Sequence, residues 1–171
     1  MNQNNELPNF GKLIEKIKQA FAGTPFPGNE NIIGNPDHVA ICEECKDWED
    51  DLANKKWEGF AENEYEFSVG GAMCFLSDVA WHYFLPAYLI ESIQAGHFDH
   101  FHLRKESDPE LIGYQQNRHN KLSIKQCQIA REYLQVGLER HGSADYFADE
   151  YRDAIEYWEE RIQAQKVKES R

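Results

Sequence analysis

Apolar residues recur every three or four positions after Pro8, so that they would share one face of a helix. These residues are Phe10, Leu13, Ile14, Ile17 and Phe21. Gly23 and Pro25 follow and supply a stop, so the pattern predicts a first helix over about residues 8–22. Residues 24–36 are rich in proline, glycine and asparagine, which predicts a long loop lying over the core.

The most apolar stretch of the chain, residues 79–93, lies between Ser77 and Gly96. Ser77 is a suitable N-cap, and apolar residues on nearly every side of the stretch predict a central helix. Pro86 removes one backbone donor, so it is expected to kink or divide this helix near Tyr83.

A second helix is predicted upstream of the central one, from Asn35 or Asp37 to about Asn54. Downstream of the central helix no helical period holds over residues 97–121. This segment is therefore predicted to be an exposed excursion, and its alternation permits one short strand over residues 98–103.

Two further helices are predicted at the end of the chain. Ser123 and Gln126, three residues apart, form a capping box for a helix that reaches Gly142. The last helix starts at Ser143 or Asp145 and continues into a charged tail.

Together these elements predict an all-α fold in a single domain over residues 1–171, built as a bundle of five or six helices. Residues 1–7 and 166–171 are expected to fray at its ends. A chain of 171 residues with 41% hydrophobic residues is long and apolar enough to bury a core of its own.

The excess of acidic residues narrows the classes of partner that the protein is expected to bind. With a formal net charge of −12, the chain is not expected to bind nucleic acid or an anionic membrane surface. Residues 43–66 alone carry ten acidic side chains against three lysines. Such a stretch would attract a basic partner protein, although a solvated helix face explains it equally. The candidate partner-binding residues are Glu43, Glu44, Asp47, Asp50 and Asp51.

No secretory signal is evident in the first ten residues, and no stretch approaches the ~18 apolar residues of a membrane span. The expected compartment is the cytoplasm. Its reducing conditions favour reading the four cysteines as thiols or metal ligands rather than disulfides. They are Cys42, Cys45, Cys74 and Cys127.

The sharpest candidate for chemistry is Cys42-Glu-Glu-Cys45, which His38 precedes on the same predicted helix face. Two thiolates at this spacing can bind one zinc ion, and further ligands would then come from elsewhere. His100 and His102 would complete a site with two cysteines and two histidines. The alternatives are a redox pair, which the flanking glutamates oppose, and simple packing of two small side chains.

Motifs of the common hydrolases, nucleotide-binding folds and zinc peptidases are missing from the sequence. No catalytic residue is therefore predicted. Missing motifs do not exclude an enzyme, but they favour a protein that is not one.

Three stretches together resemble a bacterial family known only as a domain of unknown function. They are Pro25-Phe-Pro-Gly28, then Cys42-x-x-Cys45 with Trp57 after it, and the segment from Phe75 to Leu89 with the pattern FLSxxAxxYFLPAYL. The resemblance implies one helical unit in a bacterial cytosol and brings no known activity. His38 lies four residues before Cys42, whereas the family places a histidine closer to that cysteine.

The leading functional hypothesis is an acidic interaction protein of the immunity or antitoxin type, which neutralises a partner by covering its site. A zinc-binding or metal-dependent protein that uses Cys42 and Cys45 is the alternative. A thiol redox protein is a weaker alternative.

Overall fold

The computed structural model describes residues 10–142 and 146–170, without the side chains of Pro36 and His38. The described part is all-α, as predicted, and six of its helices are ten residues or longer. No strand is formed within it, and one isolated antiparallel bridge joins Ile33 to Leu76. The helices are Phe10–Phe21 (α1), Pro36–Val39 (α2), Glu43–Leu52 (α3), Trp57–Ala61 (α4), Asp78–Gln94 (α5), Pro109–His119 (α6), Ile124–His141 (α7) and Ala148–Glu169 (α8).

The chain divides into two compact units. The first contains the described residues of Met1–Ala22, Ser92–Lys105 and Ile124–Arg171, and the second contains Gly23–Glu91 and Glu106–Ser123. The prediction of a single domain is not tested by this division. None of the described helices is long and apolar enough to cross a membrane.

The first unit is built from α1, α7 and α8, with the apolar stripe of α1 inward. Leu13, Ile17 and Phe21 are buried, as their spacing predicted. Helix α7 comes very close to its neighbours at Gly137, where an added Cβ would lie 2.7 Å from a ring carbon of Tyr151. Only glycine leaves room for that ring, so Gly137 sets how closely α7 and α8 pack.

The segment 97–104, which permitted a short strand in the sequence, is instead a tight turn of this unit. The backbone N–H groups of Leu103 and Arg104 both donate to the carbonyl of His100, at 2.9 Å. Aromatic side chains from α7 and α8 donate hydrogen bonds to further carbonyl oxygens of the segment. Tyr133 donates to Asp99, Tyr151 to Phe98, and Trp158 to Leu103. These side-chain bonds satisfy the backbone, so no neighbouring strand is required.

The second unit contains the apolar helix α5 as far as Glu91. Ser77 caps it as predicted, because its hydroxyl accepts a hydrogen bond from the Ala80 N–H at 3.1 Å. Pro86 does not divide the helix, which runs unbroken over residues 78–94. Its neighbours in the sequence are almost fully buried, so packing outweighs the one backbone bond that proline removes.

Two sequence predictions for this unit are wrong. The predicted helix to Asn54 breaks at residues 40–42, where Cys42 takes an extended conformation with φ −117° and ψ 108° and so starts α3. The predicted excursion over 97–121 contains a regular helix, α6. Asp108 caps this helix by accepting a hydrogen bond from the Glu110 N–H at 2.9 Å, and Pro109 takes the first helical position. An aspartate followed by a proline is a helix-start signal that is visible in the sequence.

Candidate functional site

Helix α3 is anchored to its unit along one side only. Cys45 and Leu52 are buried on that side. Trp48 packs so closely on Gly71 that a Cβ there would lie 2.9 Å from the indole ring. All five candidate partner-binding acids lie on the remaining surface of the helix and are exposed: Glu43, Glu44, Asp47, Asp50 and Asp51. We call these five side chains the acidic face.

The acidic face lacks counter-ions in the described part of the chain. No described lysine, arginine or histidine forms an ion pair with any of its five carboxylates. Ile41, which directly precedes α3, is 82% exposed and lies beside this charge in the sequence. Ile41 is one of several large apolar side chains that are exposed in the described residues, and its place next to the acids of α3 would suit the anchor of a protein interface.

The acidic residues near the C-terminal end of α3 oppose the stability of the helix. Glu43 and Glu44 lie in its first turn, where acidic groups are favourable. Asp50 and Asp51 lie near the other end, and the last turn has no basic residue. Each acid near a helix C-terminus costs roughly 0.3–1 kcal/mol through the helix dipole. Helical stability alone therefore does not account for the acidic face.

The two cysteines of the CxxC motif are brought together at the start of α3. Cys42 is the N-cap residue, and its thiol is hydrogen-bonded to that of Cys45, which is 3% exposed. Burial, followed by the Cys42 thiol and Glu44, raises the pKa of Cys45 to about 11. A thiol with this pKa is almost fully protonated at neutral pH, so Cys45 is not the attacking thiolate of a redox pair, and the redox interpretation stays a prediction.

The histidines proposed as further zinc ligands lie elsewhere in the sequence. His100 belongs to the first unit, where its Nε2 is 2.8 Å from Glu150 and its ring packs against Tyr151. His102 lies in the same turn, with its ring against Phe101. The side chain of His38 lies outside the described residues. Within the described ones, no group of three or more potential ligands is arranged for a metal ion, and the zinc site stays a prediction.

The buried thiols give the protein a defined response to alkaline pH. Burial raises the pKa of both Cys45 and Cys127 to about 11 from an ordinary value of 9.0. Between these values the unfolded chain has lost protons that the folded chain keeps, so the free energy of unfolding falls as pH rises. Below pH 9 the two groups have no effect. We expect the free energy of unfolding of a Cys45→Ala, Cys127→Ala variant, measured by denaturant titrations between about pH 9 and pH 11, to fall less steeply with pH than that of the parent.

The matched control for that titration is Cys74→Ala, because Cys74 is exposed. It should keep the slope of the parent protein. An identical slope in the double variant and the parent would show that other groups cause the alkaline response.

Sequence reasoning missed a buried cluster around Arg118 in the second unit. The guanidinium donates to the Met73 carbonyl at 3.1 Å and also to the carbonyl of Leu76 and the hydroxyl of Tyr114. It lies 4.0 Å from the centre of the Tyr114 ring, and its Nε is 3.7 Å from Asp78. Burial lowers the pKa of Arg118 to about 10, so the charge persists at neutral pH. This arginine joins α6 to the chain segment that precedes α5.

Comparison with known proteins identifies a family and no function. A model of a family of unknown function, DUF6714, matches residues 9–162. No curated protein matches the chain, and no solved structure does.

Proposed function

The chain belongs to the DUF6714 family of unknown function, and on that premise we propose that it is a cytoplasmic interaction protein of the immunity or antitoxin type. It binds a basic partner protein through the acidic face of α3 and covers the partner's functional site. The observation that carries this proposal is the set of five exposed carboxylates without described counter-ions. Charge at this density on one helix matches a partner surface rich in lysine and arginine.

Ile41 supplies the apolar part of the proposed interface. Interfaces obtain much of their affinity from a few large side chains in desolvated pockets, whereas complementary charges raise the association rate, exclude wrong partners and add affinity where the pairs are close. An aliphatic side chain that is 82% exposed beside Cys42 and Glu43 supports that arrangement. The acids then steer the basic partner towards this anchor.

The unfavourable positions of Asp50 and Asp51 also support a role in binding. Natural sequences break a local rule of stability mainly where function requires it. A basic partner would neutralise these two carboxylates, so complex formation would remove the electrostatic cost they impose on the end of α3. Binding should therefore stabilise the protein.

Capture from a native lysate tests the proposal. We expect the parent protein to retain one basic protein in near-equal amount at low salt and to release it at about 0.5 M salt, where exposed charges are screened. Neutralising the acidic face should abolish this capture. The substitutions are Glu43→Gln, Glu44→Gln, Asp47→Asn, Asp50→Asn and Asp51→Asn.

A matched control separates the acidic face from overall charge. Five other exposed acids, on α7 and α8, give the same change in net charge when neutralised: Glu139, Asp153, Glu156, Glu160 and Glu169. This variant should capture the partner as the parent does. The proposal fails if the parent retains no partner, or if both neutralised variants lose it to the same extent.

A further inference from the structure

A cavity of about 380 Å³ opens in the second unit. Its walls come from the proline-rich loop, the connection between α3 and α4, and helix α5. Phe26, Lys55, Lys56 and Tyr83 are among its lining residues. This size lies within the range of ligand sites, and the lining combines aromatic rings with polar and cationic side chains that can orient a ligand.

The loop and the connection are fastened to each other by a reciprocal pair of amides. The side chain of Asn29 donates to Oδ1 of Asn54 at 3.3 Å, and its own Oδ1 accepts from the backbone N–H of Asn54 at 2.9 Å. Asn54 has φ 59°, which turns the chain sharply out of α3. The next two residues are Lys55 and Lys56, so this turn holds both lysines at the cavity.

Tyr65 positions the lysines further. Its ring packs on Gly59, where an added Cβ would lie 2.6 Å from the ring. The Nζ of Lys55 lies 4.7 Å from the centre of that ring, and the backbone N–H of Lys56 donates to the Tyr65 hydroxyl. No other lysine or arginine occurs between Lys46 and Arg104. Two of the three lysines of the acidic stretch over residues 43–66 are therefore adjacent at the cavity.

Phe26 and Tyr83 make another part of the cavity wall aromatic, and Tyr83 carries a hydroxyl. The rings of Phe26 and Tyr83 meet edge to face with centroids 5.4 Å apart. The Tyr83 hydroxyl accepts a hydrogen bond from the backbone N–H of Trp57. A hydroxyl that accepts from the backbone keeps its own proton for donation to a ligand.

From this arrangement we propose that the cavity binds a small organic anion with an aromatic portion. Its carboxylate or phosphate group lies between Lys55 and Lys56, and its aromatic portion packs against Phe26 and Tyr83. Glu58 also lines the cavity and reduces the formal charge of the lining to +1. A ligand with one anionic group therefore fits better than a polyanion.

Two aromatic probes test the proposal and distinguish the two anions. Phenylacetate and phenyl phosphate are titrated into the full chain, and amide shifts are followed by nuclear magnetic resonance. At least one probe should shift the resonances of Phe26, Lys55 and Lys56, with a dissociation constant on the order of 1 mM for a ligand of this size. The tighter probe identifies the preferred anion. Benzyl alcohol, which has the ring without the charge, should bind more weakly than either.

Matched lysine variants complete the test. The double variant Lys55→Gln, Lys56→Gln should bind the tighter probe with a dissociation constant about tenfold higher, since each exposed ion pair contributes a few-fold in affinity at most. Lys121→Gln, Lys125→Gln, which changes two exposed lysines elsewhere, should leave the dissociation constant unchanged. The proposal is overturned if neither probe causes shifts at these residues, if benzyl alcohol binds equally well, or if the first variant keeps full affinity. None of these outcomes depends on whether α3 binds a partner.

Discussion

Replacing Arg118 by methionine is expected to lower the free energy of unfolding by about 3 kcal/mol. Arg118 is 4% exposed, and its guanidinium donates to the carbonyl oxygens of Met73 and Leu76. Methionine fills part of the same volume but leaves the Met73 carbonyl without this donor, whereas the Leu76 carbonyl keeps its bond from the Tyr114 hydroxyl at 3.2 Å. Each buried polar group without a partner costs roughly 1–3 kcal/mol. The loss of the contact between the guanidinium and the Tyr114 ring adds to this.

Denaturant titrations of Arg118→Met and of Arg152→Met measure this effect. Arg152 is an exposed arginine whose described ion pair is with Asp149, three residues away. Pairs of this kind contribute only about 0.3–0.5 kcal/mol, so the control should stay close to the parent. Arg118→Lys is expected to recover little stability, because one ammonium cannot reproduce the planar set of donors. Equal stabilities for Arg118→Met and Arg152→Met would show that the cluster does not hold the second unit together.

In the first unit, replacing Trp158 by alanine is expected to cost about 4 kcal/mol. Trp158 is fully buried on α8, and its indole N–H donates to the Leu103 carbonyl at 2.8 Å. The substitution opens a cavity between the helices and removes one of the bonds that hold the turn over residues 97–104. Both losses act in the same direction.

A second substitution at this position separates the two contributions. Trp158→Phe keeps much of the apolar volume but removes the indole N–H, and we expect it to cost about half as much. Tyr146→Ala is the control, because Tyr146 is 89% exposed and its removal should change stability by less than about 0.5 kcal/mol. A cost below about 1 kcal/mol for Trp158→Ala would contradict the packing described for α8.

The parts of the fold that the sequence predicted depend on local signals. The stripe of α1 and the serine cap of α5 are visible in any short window, because spacing and capping depend on residues three or four apart. The exposure of the acidic face was also predictable, since carboxylates seldom lie inside a protein without a partner. In these segments local and tertiary preferences agree.

The parts that were missed depend on contacts between residues far apart in sequence. Helix α6 buries Arg118 and His119, two polar residues that no hydrophobic period includes. The turn over residues 97–104 is held by side chains of α7 and α8 that donate to its backbone carbonyls. A hydrophobic pattern in the sequence does not show which carbonyls these side chains reach. The break at Cys42 likewise follows from one extended backbone position. The cavity beside Lys55 was missed because its walls come from segments that are separate in the chain.

Calorimetry tests most directly the proposal that the acidic face of α3 binds a basic partner. The partner recovered from the lysate is titrated by calorimetry into the parent protein and into the two neutralised variants of equal charge. Loss of the acidic face should raise the dissociation constant at least tenfold, which is about 1.4 kcal/mol of binding free energy. The dissociation constant of the α7 and α8 control should stay within about twofold of the parent's. Equal affinity in all three proteins would contradict the claim.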